Sequence, residues 1–196
     1  MLADLASAPG RTVLFTRTKH RAKALARQLN AQGIPAVELH GNLNQNARTR
    51  NLKLFQTGQV ETLVATDIAA RGMHVDDIEL VVHADPPVEH KAYLHRSGRT
   101  ARAGKSGTVI TLMTDDQVRE VRTLTRAAGV RPVTTRVSSV ADPILGQLAP
   151  GRRSLRVTPE RPTATPARSG TPRRNRSAAA VPSHSAARFS ARARRP

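Results

Sequence analysis

The densest chemistry in this chain is one short run, His95-Arg96-Ser97-Gly98-Arg99-Thr100-Ala101-Arg102-Ala103-Gly104. Arg99 and Arg102 stand three apart, which on helical geometry aims both guanidinium groups to one side. Two such cations repel each other unless an anion sits between them. Phosphoryl transfer uses that arrangement, as arginine fingers, to stabilise charge growing on the equatorial oxygens. A solvated basic face is the ordinary alternative for an arbitrary Arg cluster. A second set of candidates follows short apolar runs: Thr16-Arg17-Thr18, His40-Gly41-Asn42, Thr66-Asp67 and Asp85-Pro86. Hydroxyls, backbone amides and Arg are phosphate-binding groups, and Gly41 lets a backbone approach a phosphate closely. Gln45 and Arg48 lie three apart at the start of a helix and share a face. An Arg is disfavoured there by the helix macrodipole and gains from a phosphate partner.

Other apparent motifs fail on spacing. Gly98…Gly104-Lys105-Ser106 has five residues between its glycines where a P-loop needs four, and a strand, not a helix, follows it. No Asp-Glu-Ala-Asp tetrad occurs, and Asp76-Asp77 and Asp115-Asp116 read as turn and cap residues. His83, His90 and His95 are spaced too irregularly across a strand end, a Pro-Pro turn and a helix to suggest a shared metal. No nucleophile elbow is present. With no Cys, disulfides, thiolate zinc sites and a cysteine nucleophile are excluded.

These candidates need a scaffold that sets them side by side. Apolar strands are expected at Thr12–Thr16, Ala36–Leu39, Thr62–Thr66, Leu80–Ala84 and Thr108–Met113, with an added edge strand at Arg131–Val137. Between them fall helices from Lys19 to Gln32, Gln45 to Phe55 and Glu89 to Thr100, and a last one capped by Asp115 and running to Ala128. In the first of these, Ala22, Leu25, Ala26 and Leu29 make one buried face. Strand–helix alternation with short links implies an α/β fold, a parallel sheet covered on both faces. Ligands of such sheets gather at the carboxyl ends of the strands, where the second set of candidates stands.

The charge is uneven. The 196 residues carry 27 Arg and 5 Lys against 14 acids, a net of +18. Residues 151–196 hold 12 Arg, one acid (Glu160) and six of the thirteen Pro, and read as a disordered basic tail able to clamp nucleic-acid phosphates. Four aromatics are too few for a base-stacking platform. No apolar run approaches the ~18 residues needed to span a bilayer, and MLADLASAPG has no signal-peptide pattern. A soluble, cytoplasmic polyanion binder is the expectation, with residues 1–10 a leader or linker remnant, 11–140 the domain and 141–196 the tail.

The run from His95 to Gly104 resembles motif VI of the DEAD-box RNA helicases, whose pattern is His-Arg-x-Gly-Arg-x-x-Arg. Val13 to Thr18 resembles motif IV, His40 to Arg48 the His-Gly…Gln-x-x-Arg segment, and Ala65 to Gly72 motif V, all in the family's order. The resemblance implies a RecA-like second domain that closes on a first RecA-like domain, with ATP, Mg²⁺ and RNA between them. It implies Arg99 and Arg102 at the γ-phosphate; His95, Arg96 and Asp67 coupling the domain faces; and Thr16, Arg17, Gly41, Gln45, Arg48 and Thr66 along the RNA backbone. Gly72 and His74 fall at the nucleotide, where the family usually places Asp at the position of His74. Ala101 stands where Gly is common. By family the chain is half of an ATP hydrolase, inactive alone for want of the P-loop and the acidic tetrad. The alternatives are an ATP-independent RNA-binding module acting through its basic tail, and an idle fragment.

Overall fold

The computed structural model describes residues 1–149, apart from 74, 76, 103, 140 and 141. Five strands, β1 (Arg11–Phe15), β2 (Ala36–Leu39), β3 (Thr62–Ala65), β4 (Ile78–His83) and β5 (Thr108–Thr111), form one parallel sheet in the order β2-β3-β1-β4-β5. The helices are α1 (Leu2–Ala6), α2 (Lys19–Ala31), α3 (Gln45–Gln56), α4 (Asp67–Ala70), α5 (His90–Ser97), α6 (Val118–Ala127) and α7 (Pro143–Leu148). Side chains alternate across the strands and so build two cores. Leu14, Val64, Leu80 and Val82 meet the buried face of α2 with Leu5 of α1 and Leu145 of α7. Val13, Phe15, Leu63 and Val81 meet Phe55 of α3 and Ala69 and Ala70 of α4 on the other side. No helix among the described residues is long and apolar enough to cross a membrane.

The expected α/β sheet is therefore present, with corrections at its ends. Arg131–Val137 forms no strand: residues 131–136 are exposed, Val133 at 94%, only Val137 packs against a core, and Pro132 lacks a donor. The helix after β4 stops at Ser97, not Thr100, with Gly98 as its C-cap. Thr114 rather than Asp115 caps the last helical stretch, in a capping box with Gln117 around a 3₁₀ turn at Asp115–Gln117. Residues 2–6, set apart from the domain by the sequence reading, bury Leu5 and Ala6 completely. Within 141–196, Asp142 caps α7 by accepting from the Ile144 N–H, and Leu145 is buried. The expectation of disorder for 150–196 lies outside the described residues.

Candidate nucleotide and RNA interface

All five strands run the same way, so the ends of β1, β2, β3 and β4 share one rim of the sheet. Thr18 starts α2 by accepting from the Arg21 N–H (3.2 Å), and Asn44 starts α3 by accepting from the Ala47 N–H (2.8 Å). Lys19 Nζ donates to Asn42 Oδ1 (3.0 Å), bridging the loops that follow β1 and β2. On this rim Arg17, Gly41 and Gln45 are exposed, while Arg48 and Thr66 are half-buried. A Cβ at Gly41 would meet nothing within 4 Å, so the space beside that backbone is open. Arg48 spends one donor on Ala69 O (2.7 Å), and the Thr66 hydroxyl makes no capping bond to α4.

Thr16 differs from its expected role. It is fully buried, and its hydroxyl donates to Thr18 O (3.2 Å). It shapes the loop that presents Arg17.

Arg96 differs as well. Its guanidinium is 2% exposed and grips Asp67 at both ends, Nε to Oδ1 at 2.6 Å and Nη2 to Oδ2 at 2.7 Å. Nη1 donates to Asp85 O (2.8 Å), and the fork lies over the Phe15 ring at 5.3 Å. Arg96 and Asp67, expected to couple the domain faces, are bound to each other here, between α5 and the ends of β1, β3 and β4. Exposed His95 is free to face outward. The sequence reading took Asp85 only as a strand stop. Its carboxylate accepts from the Arg17 N–H (3.0 Å) and from Arg21 Nε (2.9 Å), tying the loop after β1 to the loop after β4. Beneath them His83 is fully buried, edge-on to Phe15 and Tyr93, with Nδ1 3.0 Å from Thr111 Oγ1. Desolvation, with the Arg96 charge adding to it, pulls its pKa down to about 3.

Arg99 and Arg102 lie beyond the end of α5, so a loop and not helical spacing brings them together. Arg99 Nη1 donates to Met73 O and Arg102 Nε to Gly98 O, each at 2.8 Å. No carboxylate among the described residues pairs with either. Asp77, which lines the same shallow hollow, is taken by Lys105, whose hydrogen bond and charge hold its carboxyl below the usual range. Partial burial and then the charge of Arg102 lower the Arg99 pKa from its ordinary value. Gly72 is exposed in the turn before Met73, and His74 lies outside the described residues. The charge of the domain is also lopsided. Residues 5–60, which supply β1, β2, α2 and α3, hold nine Lys and Arg against Glu38 alone, while residues 61–149 hold eleven of each sign.

Residues 1–104 match the family described as helicase conserved C-terminal domain. The chain belongs to the DEAD-box RNA helicases. It is 49% identical over 102 residues to the ATP-dependent rRNA helicase RRP3 of Eremothecium gossypii, covering 52% of this chain and 21% of that protein. It is 42% identical over 122 residues to the DEAD-box ATP-dependent RNA helicase 53 of Oryza sativa subsp. japonica, covering 62% of this chain and 20% of that protein. The chain thus spans about a fifth of the length of these DEAD-box relatives. Among solved structures it is similar to the Escherichia coli DEAD-box protein SrmB bound to the regulator of ribonuclease activity A. That match has a TM-score of 0.65 and 35% identity, and covers 78% of this chain and 86% of that one. It is also similar to Saccharomyces cerevisiae Dbp5 bound to RNA and ADP BeF3, with a TM-score of 0.61 and 28% identity, covering 67% of this chain and 35% of that one. The sheet is therefore the RecA-like sheet of a DEAD-box second domain.

Proposed function

We propose that this chain supplies the second RecA-like half of an ATP-dependent RNA helicase, giving arginine fingers to ATP and a sequence-independent surface to RNA. The observation that carries the reading is the pair Arg99 and Arg102. Each spends one donor on a backbone carbonyl, and neither meets an acid among the described residues. Two adjacent uncompensated guanidinium groups fit an anion, and a triphosphate fits them. ATP, bound with Mg²⁺ mainly by a first RecA-like domain, supplies the transferable phosphoryl group. This chain's part is to hold Arg99 and Arg102 against the charge that develops there. Arg17, Gln45 and Arg48, the Thr66 hydroxyl and the open backbone at Gly41 supply phosphate contacts that position RNA without reading bases. Alone, the 196-residue chain is expected to turn over no ATP, because it contains no P-loop and no acidic tetrad.

The test joins this chain to the first domain of a DEAD-box relative and measures RNA-stimulated phosphate release. Arg102→Ala should lower turnover roughly 10³-fold or more and leave the melting temperature of the chain nearly unchanged. Intact turnover with a lowered melting temperature refutes the assignment. RNA binding that needs neither ATP nor the first domain, and that follows residues 151–196, would favour the binding-module reading.

A further inference from the structure

Of the two residues between the fingers, Thr100 is buried and Ala101 exposed. Thr100 is 4% exposed between half-buried Arg99 and Arg102, and its hydroxyl donates to the carbonyl of Ile78, the first residue of β4. A second β4 carbonyl, Glu79 O, lies 3.4 Å from the same oxygen. The loop is closed from the other side by the entry to β5. A Cβ placed on Gly107 would land on the Thr100 hydroxyl oxygen itself, 2.7 Å from the Ala101 backbone nitrogen and 2.9 Å from Thr100 Cβ. Only glycine lets these two stretches touch. Between them Ala101 is held at φ +55°, in the left-handed region that disfavours any residue with a Cβ. Such a conformation persists only where surrounding contacts over-determine it. Here the contacts are the Thr100 tether and the Gly107 backbone.

We propose that Thr100 is a positioning residue for the arginine fingers: its hydroxyl, gripping β4 while Gly107 admits β5, fixes where Arg99 and Arg102 stand relative to each other. Arg99 reaches back to Met73 O and Arg102 to Gly98 O, so each guanidinium group is steadied by a different backbone carbonyl while both line the hollow beside Asp77. Without the anchor the left-handed turn at Ala101 has no reason to persist, and Arg102 loses its registration first. The proposal rests on the finger reading above and adds what that reading lacks, the device that sets finger geometry. A positioning error of about 1 Å is enough to cost turnover on the order of 10²-fold.

The experiment uses this chain joined to a DEAD-box first domain, with RNA-stimulated ATP turnover as one readout and thermal unfolding of the 196-residue chain as the other. Thr100→Val keeps the shape and removes the hydroxyl. It should lower kcat about 30- to 100-fold while the KM for ATP moves less than about threefold. Thr100→Ser restores the hydroxyl and should return kcat to within about threefold of the parent. Gly107→Ala, whose Cβ falls on the Thr100 hydroxyl, should reproduce the kcat loss by displacing that hydroxyl from β4. Should Thr100→Val fail to fold, the Gly107→Ala arm decides, and a folded Gly107→Ala protein with unchanged kcat overturns the proposal. A Thr100→Val protein with a lowered melting temperature and unchanged kcat overturns the proposal, because the hydroxyl would then serve stability alone. So does a Thr100→Ser protein as impaired as the Val variant. Arg102→Ala in the same protein separates the two readings. If it leaves turnover intact, the finger reading falls and the proposal falls with it; if it abolishes turnover while Thr100→Val does not, only the positioning role is lost.

Discussion

Replacing Arg96 with Met removes a buried charge while keeping most of the volume it fills. The loss strands the Asp67 carboxylate, leaves Asp85 O without its 2.8 Å donor and empties the face of the Phe15 ring. Breaking one partner of a fully buried ion pair costs about 3–5 kcal/mol. Asp67 is 35% exposed, so water recovers part of its solvation and the lower end applies. A destabilisation of about 3 kcal/mol is expected, or about 6–12 °C in melting temperature for a chain of this size. Arg96→Lys should recover little of it, since an ammonium cannot bridge two carboxylate oxygens and a carbonyl at once. Urea unfolding of the 196-residue chain, followed by circular dichroism, gives the number. The double variant Arg96→Met with Asp67→Asn should be less destabilised than the sum of the single changes by about 1–3 kcal/mol, since the stranded charge is gone. A loss below about 1 kcal/mol at unchanged m-value, or strict additivity of the two changes, refutes the argument that this pair locks the rim.

Ala101→Gly should stabilise the chain by about 0.5–1 kcal/mol, the left-handed penalty of about 1–2 kcal/mol less the extra freedom glycine gives the unfolded chain; a fall in melting temperature would contradict the φ of +55°. His83 is held neutral down to about pH 3, whereas an unfolded His takes its proton near pH 6.5. The unfolded state therefore binds more protons in that window. The His83 contribution to stability falls as pH drops from about 6.5 toward 3, at up to about 1.4 kcal/mol per pH unit, and is level above pH 7; His83→Gln should flatten that slope, and an equal slope in both proteins would remove the assignment. Deleting residues 151–196, with their 12 Arg and one acid, should weaken single-stranded RNA binding and flatten the plot of log K against log salt by roughly three units if four or five phosphate contacts are lost. Unchanged affinity at every salt concentration would show the tail to be merely solvated.

The five strands were legible because each is a compact apolar run bounded by turn residues, and the parallel sheet followed from their alternation with helices. Element ends were harder. Thr114 and Asp115 are both capping types, and only the reciprocal bond with Gln117 chooses between them. Arg131–Val137 has strand-forming residues, but only Val137 finds a neighbour to pack against, a tertiary fact absent from local pattern. The Asp142-Pro143 pair that opens α7 is a readable start signal that the Arg-rich composition beyond it obscured. At the site, the residue types and the strand ends showed in the sequence. Burial did not, because Thr16 and Arg96 look as available in a string of letters as Arg17 and His95. Asp85, Thr100 and Gly107 act through partners 21 to 68 residues away in sequence or through a missing Cβ, and spacing rules do not reach them.

The concentration of cations in residues 5–60, against balanced charge in the remainder of the described domain, gives residues 1–149 an electric dipole lying across the sheet from the β2 side to the β5 side. A polyanion approaching from solution exerts a torque on such a dipole before any contact forms, turning α2 and α3 toward it. The effect extends little beyond the Debye length of about 8 Å at physiological ionic strength. It therefore raises the fraction of encounters that begin in a usable orientation, while the lifetime of the complex is left to the short-range contacts at the rim.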